Sequence, residues 1–219
     1  MARADSPRTP REVTDVLREL GLVVLGYFLG AFPTGALVAR AHGVDLTQYG
    51  SRRTGATNAL RVLGKRAASL VFAGDGAKGA VAVALARQYG RSAWTPPMAG
   101  LAAVLGHTYS VFLGGRGGRG VATGLGGLLA LSPSAQACAA ATAVGTIAAT
   151  RYVSLGSILG TGAGGLALGR EAMGGRVPRP YLLYGLGTAS FIVYSHRDNI
   201  ARLLAGTERR LGESEPTGG

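Results

Sequence analysis

At 219 residues, with 47% hydrophobic and only 16% charged side chains, the chain is too apolar for an ordinary soluble domain, and its 37 glycines suit close helix packing in lipid. A formal charge of +12 raises nucleic-acid binding, but the basic residues sit in short clusters between apolar runs rather than along one helix face or tail, so positive loops beside a membrane are the simpler account. The single cysteine, Cys138, excludes an internal disulfide and a thiolate metal site; lying in an apolar run, it is expected to be a small buried filler.

Residues 1–16 mix arginines, acids and prolines without the basic-then-apolar layout of a cleaved signal peptide, and are read as a polar tail. One membrane domain is expected over 17–205, followed by a polar tail over 206–219. The first apolar run, 17–41, is long enough to cross a bilayer. After it comes Gly50-Ser51-Arg52-Arg53-Thr54-Gly55-Ala56-Thr57-Asn58, with Arg61 close behind. Glycine lets consecutive backbone N–H groups converge on one anion, and the arginine fork matches phosphate oxygens, so this segment reads as a phosphate loop at the membrane edge.

The second run, 66–89, carries Asp75 and Lys78 on one helix face, three residues apart. Charges at membrane depth are functional candidates by default, and a structural ion pair pinning this helix is an equal alternative. The third run, 96–113, contains His107 near its end, where an interfacial hydrogen bond is the commoner role for a lone histidine. A second basic glycine loop follows, Gly114-Gly115-Arg116-Gly117-Gly118-Arg119-Gly120. One seven-residue copy without interleaved aromatics does not make an RNA-binding segment. Two such loops in one small chain point to a shared phosphate ligand.

The fourth run, 118–131, spans only about 21 Å as a helix and is expected to be a broken or half-crossing helix that presents free N–H groups to an anion. The fifth and sixth runs are 134–149 and 153–168. Ser154 and Ser157, at the start of the sixth, are read either as helix-capping and packing residues or as ligand contacts. The seventh run, 180–195, leads into His196-Arg197-Asp198-Asn199-Ile200, where His196 and Asn199 share a helix face and are placed to hold a hydroxyl or a phosphate.

Seven crossings put about thirteen Lys and Arg residues on the side holding both glycine loops and the C-terminus, against about nine on the other, which assigns that side to the cytoplasm. The chain has no Gly-x-Ser-x-Gly elbow, no Walker loop and no histidine pair at metal spacing. It reads as a binder of phosphate rather than a former of covalent intermediates.

Together these motifs resemble the bacterial membrane-integral glycerol-3-phosphate acyltransferases that take the acyl chain from acyl phosphate. The resemblance runs from about Gly30 to Glu208 and rests on Gly30-Ala31-Phe32-Pro33-Thr34-Gly35, Gly50-Ser51, Gly55-Ala56-Thr57-Asn58, Arg61-Val62-Leu63-Gly64, Asp75-Gly76-Ala77-Lys78-Gly79, Gly106-His107, Gly120-Val121-Ala122-Thr123 and His196-Arg197-Asp198-Asn199-Ile200. It implies an all-α, polytopic membrane fold of about seven transmembrane helices. The implied reaction moves a fatty acyl group to the 1-hydroxyl of glycerol 3-phosphate, giving lysophosphatidic acid and phosphate, with no metal or cofactor and no nucleic-acid partner. It also implies a bacterial plasma-membrane location, contact with membrane lipids and a site facing the cytoplasm.

Carried onto this chain, the resemblance gives Ser51, Thr57, Asn58, Arg61, Gly118, Arg119 and Gly120 as phosphate-binding residues and His196 and Asn199 as the catalytic polar pair. Asp75, Lys78, His107, Ser154 and Ser157 are further candidates. The chain departs from the family pattern at Arg52 and Arg53, where the family reads Gly-Asn, and at Arg116 and Arg119, where it reads lysine. The sequence leaves open whether Arg52 and Arg53 meet substrate or lipid headgroups, and loss of Arg53 is expected to cost less turnover than loss of Arg61 or Arg119. The rival readings are a non-catalytic carrier of an organic phosphate and a variant enzyme with another polyol-phosphate acceptor.

Overall fold

The computed structural model describes residues 9–213, which form ten α-helices and one short 3-10 turn, with no strand among the described residues. The helices are α1 (Pro10–Ala31), α2 (Thr34–Ala41), α3 (Ala56–Leu63), α4 (Lys65–Tyr89), α5 (Thr95–Thr108), α6 (Val121–Leu131), α7 (Pro133–Thr150), α8 (Val153–Met173), α9 (Tyr181–Ser195) and α10 (Arg197–Leu204); the turn is Val111–Leu113.

The first helix starts at Pro10, inside the stretch expected to be a polar tail. The reason is local: Thr9 caps the helix, its backbone N–H donating to the Glu12 carboxylate at 2.7 Å while its hydroxyl accepts from the Glu12 N–H, and Pro10 occupies the first turn where it costs no hydrogen bond. Pro33 then breaks the first apolar run into α1 and α2. Of the expected C-terminal tail, 206–213 is ordered against the body: Leu211 N–H donates to the Arg151 carbonyl at 2.7 Å, and the Arg151 guanidinium returns to the Leu211 carbonyl. The rest of both expected tails, 1–8 and 214–219, lies outside the described residues.

The segment 10–41 and α4 are each long and apolar enough to cross a bilayer by themselves. Large apolar side chains such as Leu17, Val24, Phe28, Leu70, Leu166 and Leu186 remain exposed, as a lipid-facing surface requires. Helices α4 to α9 coincide with the apolar runs read from the sequence, although α5 stops five residues short of the expected end at Leu113. Helices α3 and α10, each eight residues with alternating polar and apolar faces, were not expected as separate elements.

Packing rests on small residues. The pairs α7 with α8, α1 with α5, and α4 with α6 are the tightest contacts. On α4 and α6, a Cβ added to Gly79 would fall 1.9 Å from the Thr123 carbonyl oxygen, and one added to Gly126 would fall 1.9 Å from that of Gly76, so these backbones touch. This contact seats the short α6 in the middle of the bundle, where Tyr184 donates to the Gly124 carbonyl at 2.7 Å from a fully buried position. A main core gathers Val83, Leu128, Leu131, Ala139, Leu168 and Tyr184. A second, of Ala39, Leu46, Ala59, Ala68 and Val71, holds the first glycine loop and α3 against α4.

Candidate active site

Both glycine loops, the ends of α9 and α10 and the start of α8 meet at one end of the bundle. The first loop is tied from behind by Asn58, whose amide nitrogen contacts the carbonyls of Leu46, Tyr49 and Arg53 at 2.9–3.1 Å and whose oxygen accepts the Ser51 N–H at 2.9 Å. That corrects the expectation for Asn58 as a phosphate ligand: its amide is committed to the loop backbone. The same clamp holds Arg52 in the left-handed region at φ +54, an uncommon setting for a non-glycine residue. Helix α3 then begins at Ala56 with no side-chain cap, so its first N–H groups open toward an anion beside Gly55 and Thr57.

The second loop is seated on α5. Gly117 N–H donates to the Thr108 carbonyl at 3.1 Å, and a Cβ on Gly117 would lie 1.8 Å from the His107 carbonyl oxygen. A Cβ on Gly118 would lie 2.2 Å from Nε2 of His107. His107 in turn is held by charge: its Nδ1 is 3.1 Å from Lys78 Nζ, and Lys78 also reaches Asp75 at 2.8 Å and the Phe32 carbonyl, which ends α1 at the Pro33 break, at 2.9 Å. The same Nδ1 lies 3.5 Å from the Asp75 carboxylate, so the ring closes a buried cluster with Lys78 and Asp75. The sequence alternatives for Asp75 and Lys78 therefore resolve into an ion pair that supports the glycine loop through His107; Lys78 itself is engaged on all sides.

Two cavities meet here. The larger, about 410 Å³, is lined at its polar end by Ser51, Thr57, Gly118, Arg119, Gly120 and His196, with Asp75 and His107 beneath. It continues as an apolar channel past Phe72, Leu125, Ala140, Ala143, Val144 and Ile147. The smaller, about 280 Å³, is polar, with Arg61, Asn199, Arg202 and Glu208 in its walls. Ser51, Arg53 and Arg119 line both. Arg53 thus lines the site, which the sequence left open, whereas Arg116 is exposed outside both cavities.

His196 follows the last turn of α9, where Nδ1 lies 2.8 Å from the Ile192 carbonyl. A carbonyl only accepts, so Nδ1 carries the proton and Nε2 keeps its lone pair. Burial, reinforced by the Arg119 charge, pulls the His196 pKa from 6.5 down to about 4, so it is neutral at neutral pH. Burial also lowers Arg119 to about 10, with Arg53 the leading like charge; Arg119 stays cationic. Its Nε is buried without a hydrogen-bond partner.

Glu208 had no role in the sequence reading, yet it accepts hydrogen bonds from Ser154 Oγ at 2.7 Å, Asn199 Nδ2 at 2.6 Å and Arg202 Nε at 2.8 Å. These donors hold its carboxyl below the usual range although burial pushes the other way. Its place at the end of the stretch that resembles the family was the available signal. Ser154 thereby donates to Glu208, and the Ser157 hydroxyl to the Val153 carbonyl at 2.9 Å, so both hydroxyl protons are committed to protein acceptors, although Ser157 lines the larger cavity. Cys138 is exposed on α7 rather than buried, its Sγ 3.9 Å from the Ala163 carbonyl of α8. No group of three His, Cys, Asp or Glu residues suited to a metal occurs among the described residues.

Comparison with known proteins follows this geometry. A family model described as glycerol-3-phosphate acyltransferase matches residues 20–206. A glycerol-3-phosphate acyltransferase of Geobacter sulfurreducens is 44% identical over 198 residues, covering 90% of this chain and 99% of that protein. One from Thermus thermophilus is 46% identical over 194 residues, covering 87% and 94%. Among solved structures, PlsY (YgiH), an integral membrane glycerol 3-phosphate acyltransferase, superposes in its glycerol 3-phosphate form with a TM-score of 0.82 at 40% identity, over 89% of this chain and 96% of that one. Its lysophosphatidic acid form superposes with a TM-score of 0.80 over 89% and 95%.

Proposed function

The chain belongs to the glycerol-3-phosphate acyltransferase family, and from that premise we propose that it moves an acyl group from acyl phosphate to the 1-hydroxyl of glycerol 3-phosphate, at the cytoplasmic face of a bacterial inner membrane. It is an all-α integral membrane enzyme of phospholipid synthesis, and its family membership sets aside the carrier alternative. The observation that carries the choice of donor is the junction of the two cavities: an apolar channel and a polar chamber share Ser51, Arg53 and Arg119. The channel suits a fatty chain, the chamber suits a glycerol phosphate, and the shared cations sit where the donor's phosphate meets the acceptor.

In this reading the acceptor hydroxyl oxygen attacks the acyl carbon, the new ester C–O bond forms and the bond from acyl carbon to phosphate oxygen breaks. The hydroxyl proton ends on the departing phosphate. Neutral His196 accepts a hydrogen bond through Nε2 and aims the hydroxyl; with its pKa near 4 it is a weaker proton acceptor than a phosphate dianion, so it orients rather than removes the proton. Arg119, the N–H groups of Gly118 and Gly120, Thr57 and the open start of α3 stabilise the leaving phosphate, while Ser51, Arg61 and Asn199 hold the acceptor. Since acyl phosphate already carries a good leaving group, positioning and charge stabilisation supply most of the acceleration. Seven crossings, with the N-terminus outside, place the junction beside cytoplasmic metabolites.

The test is purified protein in detergent with acyl phosphate and labelled glycerol 3-phosphate. The expected product is lysophosphatidic acid, formed faster than with acyl-CoA and without an acylated protein intermediate. Absence of product, or preference for acyl-CoA, overturns the proposed donor.

A further inference from the structure

The two cavities share three residues, and for one of them, Arg53, the reaction as described names a place but no contact. Its guanidinium makes no hydrogen bond or ion pair among the described residues, in contrast to Arg202, which is matched by Glu208. It is half-buried, its charge acts on Arg119, another cation, and it shares the wall of the smaller cavity with Asp198 and Glu208, with neither of which it forms an ion pair. Bringing two like charges together in a sheltered site is unfavourable until an anion sits between them. The backbone nevertheless fixes Arg53 there: Asn58 grips the Arg53 carbonyl and the Ser51 N–H, and Arg52 takes up a left-handed conformation to complete the turn. A loop held this firmly around a cation with no ion-pair partner among the described residues has the chemistry of an anion site.

We propose that Arg53 is a shared phosphate ligand, its guanidinium fork spanning the boundary between the cavities so that one edge meets the phosphate of the acyl donor and the other the phosphate of the acceptor. This rests on the acyl-phosphate reading above. A planar fork with five donors can serve two oxyanions at once, which lysine cannot do with the same geometry, and the partner Arg119 supplies the second fork facing it. Two phosphates in adjoining chambers repel each other; a cation between them offsets that repulsion and brings the hydroxyl toward the acyl carbon.

The experiment is steady-state kinetics of the full chain in neutral detergent, varying acyl phosphate and glycerol 3-phosphate separately, for wild type, Arg53→Gln, Arg53→Lys and the exposed control Arg197→Gln. Arg53→Gln is expected to raise the KM of both substrates and the inhibition constant of inorganic phosphate, each by about tenfold, the factor expected on losing a charge-assisted contact. Arg53→Lys should recover part of the loss, and Arg197→Gln should match wild type. Combined with Arg119→Gln, the Arg53→Gln effect should be smaller than the two separate losses multiplied, because both forks act on the same phosphates. Kinetic constants for Arg53→Gln within twofold of wild type, or a KM raised for one substrate only, overturn the proposal. So does a defect that appears only when phosphatidylglycerol is added, which marks a lipid headgroup as the ligand. If wild type itself makes no lysophosphatidic acid from acyl phosphate, the donor assignment fails instead. If Arg53→Gln does not fold, Arg53→Lys, which retains the charge, decides through the same two KM values.

Discussion

Asn199 donates Nδ2 to Oε1 of Glu208 at 2.6 Å, which leaves its Oδ1 buried without a partner at the wall of the smaller cavity. A carboxylate accepts and cannot donate, so the contact fixes which end of the Asn199 amide faces the ligand. Glu208, itself in the wall of the acceptor chamber, thereby also acts on it through its neighbour.

Glu208→Gln removes that direction, since a glutamine can present either end to Asn199. Catalytic efficiency toward glycerol 3-phosphate is expected to fall by about tenfold or more, with a smaller change in the KM of acyl phosphate. Glu208→Ala also leaves buried donors unmatched and should destabilise by about 1–3 kcal/mol. Kinetics with each substrate varied, alongside thermal unfolding in detergent, separate the two effects; equal KM changes for both substrates contradict the assignment.

The low pKa of His196 gives a pH prediction. Its folded value, about 4, lies below the ordinary 6.5, so the fold favours the neutral ring; that contribution to stability is complete above 6.5 and lost progressively as the pH falls toward 4. The pH profile of kcat/KM should therefore show no inflection near 6.5 attributable to His196. An inflection there that disappears in His196→Gln refutes the neutral assignment.

The seat of the glycine loop on α5 predicts a contrast between glycines. Gly117→Ala forces a Cβ onto the His107 carbonyl and should reduce turnover by roughly 100-fold or more through displaced N–H donors. Gly162→Ala, in the interior of α8 with nothing within 4 Å of its added Cβ, should leave turnover unchanged and stabilise by roughly 0.5–1 kcal/mol. Rate assays and unfolding curves for both variants check it.

The buried trio of Asp75, Lys78 and His107 predicts a difference between fold and rate. Asp75→Asn should destabilise by about 3–5 kcal/mol by leaving the ammonium uncompensated, whereas the double variant Asp75→Leu with Lys78→Met should unfold near the wild-type temperature. Without Asp75 and Lys78 the His107 ring loses both groups that hold it against Gly118, so the double variant should still lose activity. A fully active double variant reduces the trio to a structural pin.

The helical plan was legible because membrane spans are written as apolar runs, and the break at Pro33 and the short α6 follow from proline and length alone. The Thr9-x-x-Glu12 capping box was also present in the sequence, but its polar composition read as a tail. What the sequence hid was direction. Asn58, Ser154 and Ser157 have the right chemistry for a ligand, yet each hydrogen-bonds a protein partner, and Arg53 is turned inward by a loop whose path depends on the grip of Asn58 on several loop backbone groups at once. Side chains compete for partners that only the folded chain supplies.

The clasp between Leu211 and Arg151 has a consequence for biosynthesis. Proteins emerge from the ribosome N-terminus first, so all the long helices and both glycine loops are made before Glu208 exists. Until α10 and the segment after it dock across the start of α8, Asn199 has no fixed orientation and the acceptor chamber lacks a wall. A nascent chain already threaded into the bilayer would therefore be silent, and its chemistry would switch on only after translation has passed the final turn.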